Sequence, residues 1–124
     1  MGYIMGKAEG HGENWHGHVT ALTVAPEFRR VGLARRLMGI LETVSDKLYQ
    51  GYFVDLFVRE SNRVAIGMYE KFGYTVYRRV LDYYSGYNGA SDEDAFDMRK
   101  ALPRDVHKKS VIPLTKPVHA DEVS

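Results

Sequence analysis

The chain has 124 residues, 44% of them hydrophobic and 27% charged, enough for one compact domain and too few for two. Its 17 basic and 16 acidic residues leave a net charge of +1, which supplies no broad field for gripping nucleic acid or an anionic membrane. The absence of cysteine excludes disulfides, a thiol nucleophile and thiolate metal sites. No apolar run approaches the ~20 residues that span a bilayer, and Met1 to Gly10 carries no charged-then-apolar signal pattern, so a soluble cytoplasmic protein is expected.

Tyr3, Ile4 and Met5 open an extended stretch that ends at the glycine-bracketed turn Gly10-His11-Gly12, the pattern of a hairpin arm. Trp15 to Val24 alternates, with His16, His18, Thr20, Leu22 and Val24 expected on one face and Gly17, Val19, Ala21 and Thr23 on the other. Pro26 ends that strand, and Glu27 to Gly32 reads as a polar, basic connection. From Leu33 the period changes: Leu33, Leu37, Ile40, Leu41, Val44 and Leu48 recur at helical spacing, with Gly51 as a helix stop.

Tyr52 to Val58 is almost continuously apolar apart from Asp55, as expected of a strand covered on both faces, and strand, helix, strand spells a right-handed parallel unit. Ser61 or Asn62 is positioned to cap a second helix that runs to about Lys71, and Gly73 falls where a left-handed terminating residue belongs. Tyr74 to Tyr84 and Ala95 to Lys100 are further strands. Beyond Leu102 the composition becomes polar, punctuated by Pro103, Pro113 and Pro117, so the expected division is a domain over 1–102 and an extended or disordered tail over 103–124.

Two short patterns could carry chemistry. Arg29-Arg30-Val31-Gly32-Leu33-Ala34 lies between a strand and an amphipathic helix, where unpaired N–H groups and the positive end of the helix dipole favour an anion. Small residues there let a phosphate approach the backbone, and two arginines add charged donors; the plain alternative is a solvated basic loop. The second pattern, Asn62, Ala65, Tyr69 and Gly73, sets Asn62 and Tyr69 on one helix face. The plain alternative there is a cap and a core aromatic with a wet tip.

Taken in order, R-x-x-G-x-A opening a helix and N-x-x-A-x-x-x-Y-x-x-x-G-Y after the next strand resemble the acetyl-coenzyme A binding core of the GNAT N-acetyltransferases. The stretches WHGHVTALTVAPEFRRVGLA, GYFVDLFVRESNRVAIGMYEKFGYTVYRRVLDYYSGYNG and DEDAFDMRKAL are similar to the catalytic subunits of NatB-type N-terminal acetyltransferases. The resemblance implies the GNAT fold, an α/β (or α+β) mixed central sheet with flanking helices. It implies acetyl-CoA as cosubstrate: Arg29, Arg30, Gly32, Leu33 and Ala34 at the pyrophosphate, Leu22 and Val24 along the pantetheine arm, and Asn62 and Tyr69 near the thioester. Tyr69 is implied as general acid for the leaving thiolate, Tyr83 and Tyr84 as enclosing the substrate peptide, and His18 and Thr20 as lying on the substrate side.

The implied substrates are nascent polypeptide N-termini beginning with Met before Asp, Glu, Asn or Gln. The implied partners are an auxiliary helical-repeat subunit and the ribosome, with no direct nucleic-acid or membrane contact. His18 either accepts the proton of the attacking amine or hydrogen-bonds an acidic substrate side chain; a structural histidine is the plain alternative. His16 is expected to be peripheral, His11, His107 and His119 to lie in turn or tail contexts, and no metal is expected, since no carboxylate accompanies the histidines at a recognisable spacing.

Asp92-Glu93-Asp94 reads as a solvated turn, and Tyr87 and Asn88 as part of a mobile cover. The family domain begins with a strand, a helical pair and another strand before the hairpin arm, so the chain is expected to be an amino-terminally shortened form lacking one wall of the peptide channel. A non-catalytic fragment that binds coenzyme A or a partner, and a GNAT acting on lysine or small amines, are the competing readings.

Overall fold

The computed structural model describes residues 3–23, 30–84, 93–120 and 123. In chain order they form β1 (Tyr3–Glu9), β2 (His16–Thr23), α1 (Arg30–Lys47), β3 (Phe53–Arg59), α2 (Arg63–Lys71), β4 (Thr75–Tyr84), β5 (Glu93–Ala101) and β6 (Val118–His119). The strands make one mixed sheet of six in the order β1-β2-β3-β5-β4-β6. The β2–β3 and β4–β6 pairs are parallel and the others antiparallel. This is the expected mixed sheet with helices. Among the described residues no helix is long and apolar enough to cross a membrane.

Period-2 alternation gives the sheet two different faces. Val19, Val54, Leu56, Val58 and Met98 share one core with Ala34 and Met38 of α1, Ile66 of α2, and Phe72, Tyr74 and Leu102. The opposite face carries His16, Asp55, Asp97 and Arg99, all buried. At Gly17 the reason for glycine is proximity: a Cβ there would meet Ser45 Oγ of α1 at 2.0 Å. Gly73, at φ +98°, takes the left-handed conformation that ends α2, as its position in the sequence implied.

Several expectations shift. α1 begins at Arg30, so Arg30 to Gly32, read as connection, form its first turn; a first turn needs no buried stripe, and the period only becomes visible at Leu33. The core side of α1 carries buried Ala34, Met38 and Ser45 with half-buried Leu41 packed against the core, while Ile40 and Val44, and Leu48 just past the helix, are exposed. The described part of the segment after Leu102, read as an extended or disordered tail, is tied to the sheet. There Leu114 N–H donates to the Tyr77 carbonyl at 2.7 Å, and β6 pairs with β4 through Val80↔Val118. Glu93 and Asp94, read as part of a solvated turn, open β5 and tie neighbours together: Glu93 accepts from Ser61 N–H at 2.8 Å, and Asp94 accepts from Asp82 N–H at 2.9 Å. Asp92, Tyr87 and Asn88 lie outside the described residues.

The feature that shapes the site is a separation of strands. β2 and β3 pair only from His16↔Phe53 to Val19↔Leu56. Beyond that, Ala21–Thr23 pair with β1 alone and Phe57–Arg59 with β5 alone. The divergence begins at a bulge: Met5 pairs with Ala21 and Gly6 with Val19, which leaves Thr20 as the extra residue of β2. The bulge also interrupts the alternation that would carry the face of His18 unbroken to Leu22. The result is a wedge in mid-sheet whose two edges, among the described residues, do not pair with each other.

Candidate active site

On the sheet face away from the helices lies a cavity of about 520 Å³, lined by residues from five strands, with His18, Asp55, Tyr83 and Arg99 among them. Register builds its floor: Glu9 sits opposite His16, His18 beside Asp55, and Asp55 opposite Arg99. A carboxylate inside a strand buried on both faces must be partnered, and Asp55 is. His18 Nδ1 lies 2.7 Å and His16 Nε2 3.4 Å from its Oδ1. Burial works against ionisation of Asp55, but its contacts with His16 and His18 prevail and hold its pKa well below the usual carboxylate range.

Two sequence expectations are corrected here. His16, read as peripheral, is buried, with its ring stacked on Phe53 at 4.4 Å and its Nδ1 bonded to the Asn14 carbonyl. Burial lowers its pKa, yet Asp55, Asn14 and Glu9 outweigh burial and the net shift is upward. The carboxylates that sequence spacing did not place beside the histidines are supplied by neighbouring strands, Glu9 from β1 and Asp55 from β3. The one sequence signal for Asp55 was its isolation in an apolar run.

The tyrosines divide between two places. Tyr83 lines the cavity and stands edge-on to Phe57 at 4.7 Å and to Tyr84 at 5.1 Å, while the Arg59 guanidinium lies over the Tyr84 ring at 4.2 Å. Tyr69 belongs to the helix side, edge-on to Phe72 and Tyr74, and does not line that cavity. Burial raises the pKa of Tyr69, Tyr83 and Tyr84, so each phenol keeps its proton near neutral pH. Asn62 caps α2 by accepting from Ala65 N–H at 3.2 Å, which leaves its amide NH₂ as the free donor.

At the start of α1, helix geometry leaves the N–H groups of Arg30, Val31 and Gly32 without intrahelical acceptors, whereas that of Ala34 reaches back to Arg30. Ala34 itself is turned into the core. Gly32 is exposed, and among the described residues nothing lies within 4 Å of where a Cβ would stand. Leu33 is half-buried, and Thr20 and Leu22 are placed by backbone in β2. Val24 and Arg29 lie outside the described residues.

The sequence profile of the acetyltransferase (GNAT) family matches residues 1–74. The chain is 71% identical over 119 residues to N-alpha-acetyltransferase 20 of Dictyostelium discoideum, covering 96% of this chain and 66% of that protein. It is 66% identical over 123 residues to the N-terminal acetyltransferase B complex catalytic subunit NAA20 of Arabidopsis thaliana, covering 99% and 68%. The crystal structure of Chaetomium thermophilum Naa20 in complex with a bisubstrate analogue superposes with a TM-score of 0.87 at 43% identity, covering 100% of this chain and 72% of the other. The chain thus spans about two thirds of the length of the curated relatives it matches.

Proposed function

This chain belongs to the acetyltransferase (GNAT) family, and from that premise we propose that it is the catalytic subunit of a NatB-type N-terminal acetyltransferase. It transfers acetyl from acetyl-coenzyme A to the α-amine of nascent proteins that begin with Met before Asp, Glu, Asn or Gln. It works in the cytoplasm, with an auxiliary helical-repeat subunit, at the ribosome. The observation that carries the reading is the 71% identity to N-alpha-acetyltransferase 20 over 96% of the chain.

The residues present suit the coenzyme. The edges of the wedge, Thr20–Thr23 and Phe57–Arg59, offer backbone partners to an extended amide-bearing arm, with Leu22 and Val24 along it. The N–H groups of Arg30 to Gly32, which have no acceptor within the helix, the helix dipole, and the charges of Arg29 and Arg30 suit a pyrophosphate, and Gly32 carries no side chain to hinder its approach. Leu33 and Ala34 seat this first turn, and the Asn62 amide and Tyr69 stand on the helix side. The coenzyme supplies an acetyl group already activated as a thioester.

An α-amine has an ordinary pKa of about 7.7–8.0, so part of it is neutral at cellular pH and no strong base is required. With its Nδ1 bonded to Asp55, a neutral His18 ring presents Nε2 as an acceptor, which favours its taking the amine proton, directly or through water. Tyr69, protonated because burial raises its pKa, donates to the departing thiolate. Tyr83 and Tyr84 close over the peptide, and Thr20 contributes to the pocket for the second residue. Direct attack on the thioester calls for no metal.

The test is acetyl transfer by this chain, with and without the auxiliary subunit, to peptides beginning Met-Asp or Met-Leu. Preferential modification of the Met-Asp peptide at its α-amine is expected. Failure to modify either peptide under both conditions, or modification confined to a lysine side chain, overturns the reading.

A further inference from the structure

Four side chains on three adjacent strands converge at the floor of the cavity: Glu9 of β1, His16 and His18 of β2, and Asp55 of β3. Their donor atoms all lie within 4.8 Å of one another. Glu9 Oε1 is 3.3 Å from His16 Nε2 and 3.9 Å from His18 Nδ1, and Asp55 Oδ1 is 3.4 Å and 2.7 Å from the same atoms. Zinc bonds of about 2.0–2.2 Å in tetrahedral geometry require ligand-to-ligand edges of about 3.3–3.6 Å. Both edges from His16 are close to that value, and the pairs at His18 bracket it, one short and one long.

His16 adds an independent observation. It is buried, its Nδ1 is bonded to the Asn14 carbonyl, and its Nε2 has no hydrogen-bond partner although two carboxylate oxygens are within reach. The nitrogen lies almost equally far from the two oxygens, one from each neighbouring strand. One ring nitrogen tied to a backbone carbonyl and the other left beside two carboxylates is the arrangement that supporting hydrogen bonds give a metal-ligating histidine. Stacking on Phe53 at an interplanar angle of 8° fixes the ring, and Lys7 engages Glu9 through Oε2, leaving Oε1 for the cluster. A purely hydrogen-bonded network accounts for His18 but leaves His16 Nε2 an orphan.

We propose that Glu9, His16, His18 and Asp55 form a binding site for a four-coordinate divalent transition metal ion, with zinc the ion that best fits two imidazole nitrogens and two carboxylate oxygens. The proposal rests on the geometry of the cluster alone, and it shares His18 and Asp55 with the proposed acetyl-transfer site: a metal at His18 Nδ1 leaves the ring proton on Nε2, so a bound ion and the proton-accepting role of His18 exclude each other.

Cobalt(II) is the probe, because its visible absorption distinguishes four-coordinate from six-coordinate binding. The protein is stripped with chelator, titrated with cobalt(II) and then with zinc. The expected result is saturation at an equimolar ratio, an intense four-coordinate spectrum, and its loss on adding zinc. His16→Gln and the half-buried Glu9→Gln are each expected to weaken cobalt binding about tenfold or more. His11→Gln and His119→Gln are expected to leave it unchanged, and circular dichroism checks that each variant is folded. A six-coordinate spectrum, no saturable binding, or full affinity in folded His16→Gln or Glu9→Gln protein overturns the proposal.

Discussion

Asp97 is fully buried, with Oδ2 accepting from Arg78 Nε at 2.9 Å and Oδ1 without a partner. Burial, and then the charge of Asp55, push its pKa up to about 7, against the opposing pull of Arg99 and Arg78. An acid raised in this way keeps its proton in the folded protein at a pH where the unfolded chain has released it. Its contribution to stability is therefore present below the ordinary value of 3.8 and is lost as pH rises toward about 7. Urea unfolding at pH 5 and pH 8 should show the wild type losing stability across this interval, on the order of a few kcal/mol at most from this group. Asp97→Asn should flatten that part of the slope; an unchanged slope would reject the assignment. None of this was legible in the sequence, where Asp97 is one acid among many. The same holds for the pairing of Asp55 with His16 and His18, created by strand register across a long chain separation. Local signals fared better: the Asn62 cap and the Gly73 stop rest on neighbours within one helical turn.

At the scale of the element, α1 shows how far a periodic pattern reaches. Six apolar residues at helical spacing revealed a helix but only in part which side of it packs: Leu41 lies against the core with Ala34, Met38 and Ser45, whereas Ile40, Val44 and Leu48 are exposed. Ser45 is inward because Gly17 leaves room for it, a relation between two elements that neither sequence segment states alone. Met38→Ala, which empties a fully buried site, should destabilise the fold by about 2–5 kcal/mol. Ile40→Gln on the exposed side should stay within about 0.5 kcal/mol. Equal losses in urea melts would mean that the packed face is misassigned. β6 was illegible for a related reason: Val118–His119 is too short to show a period, and its pairing with β4 comes from a neighbour already in place.

For the whole molecule, the order of strands followed from the pattern only in part. A strand, helix, strand unit was readable, but the divergence of β2 from β3 after Val19 and Leu56 depends on a bulge with no compositional mark. The coenzyme reading joins that wedge to the open first turn of α1. Gly32→Val is the test at this scale, because among the described residues nothing crowds a side chain there, while an approaching ligand would meet it. The variant should melt within a few degrees of the wild type, and the rise in melting temperature that acetyl-coenzyme A gives the wild type should vanish. A rise of equal size in the variant would remove the first turn of α1 from the proposed site.

The wedge also has a mechanical consequence. Along the sheet, β1 and β2 are joined to the other four strands by just four residue pairs, His16 to Val19 against Phe53 to Leu56. The sheet is two plates hinged at one end, and an extended chain lying in the gap would lace their free margins together. Loading such a protein would then stiffen it across its width, turning a gap in the sheet into a seam.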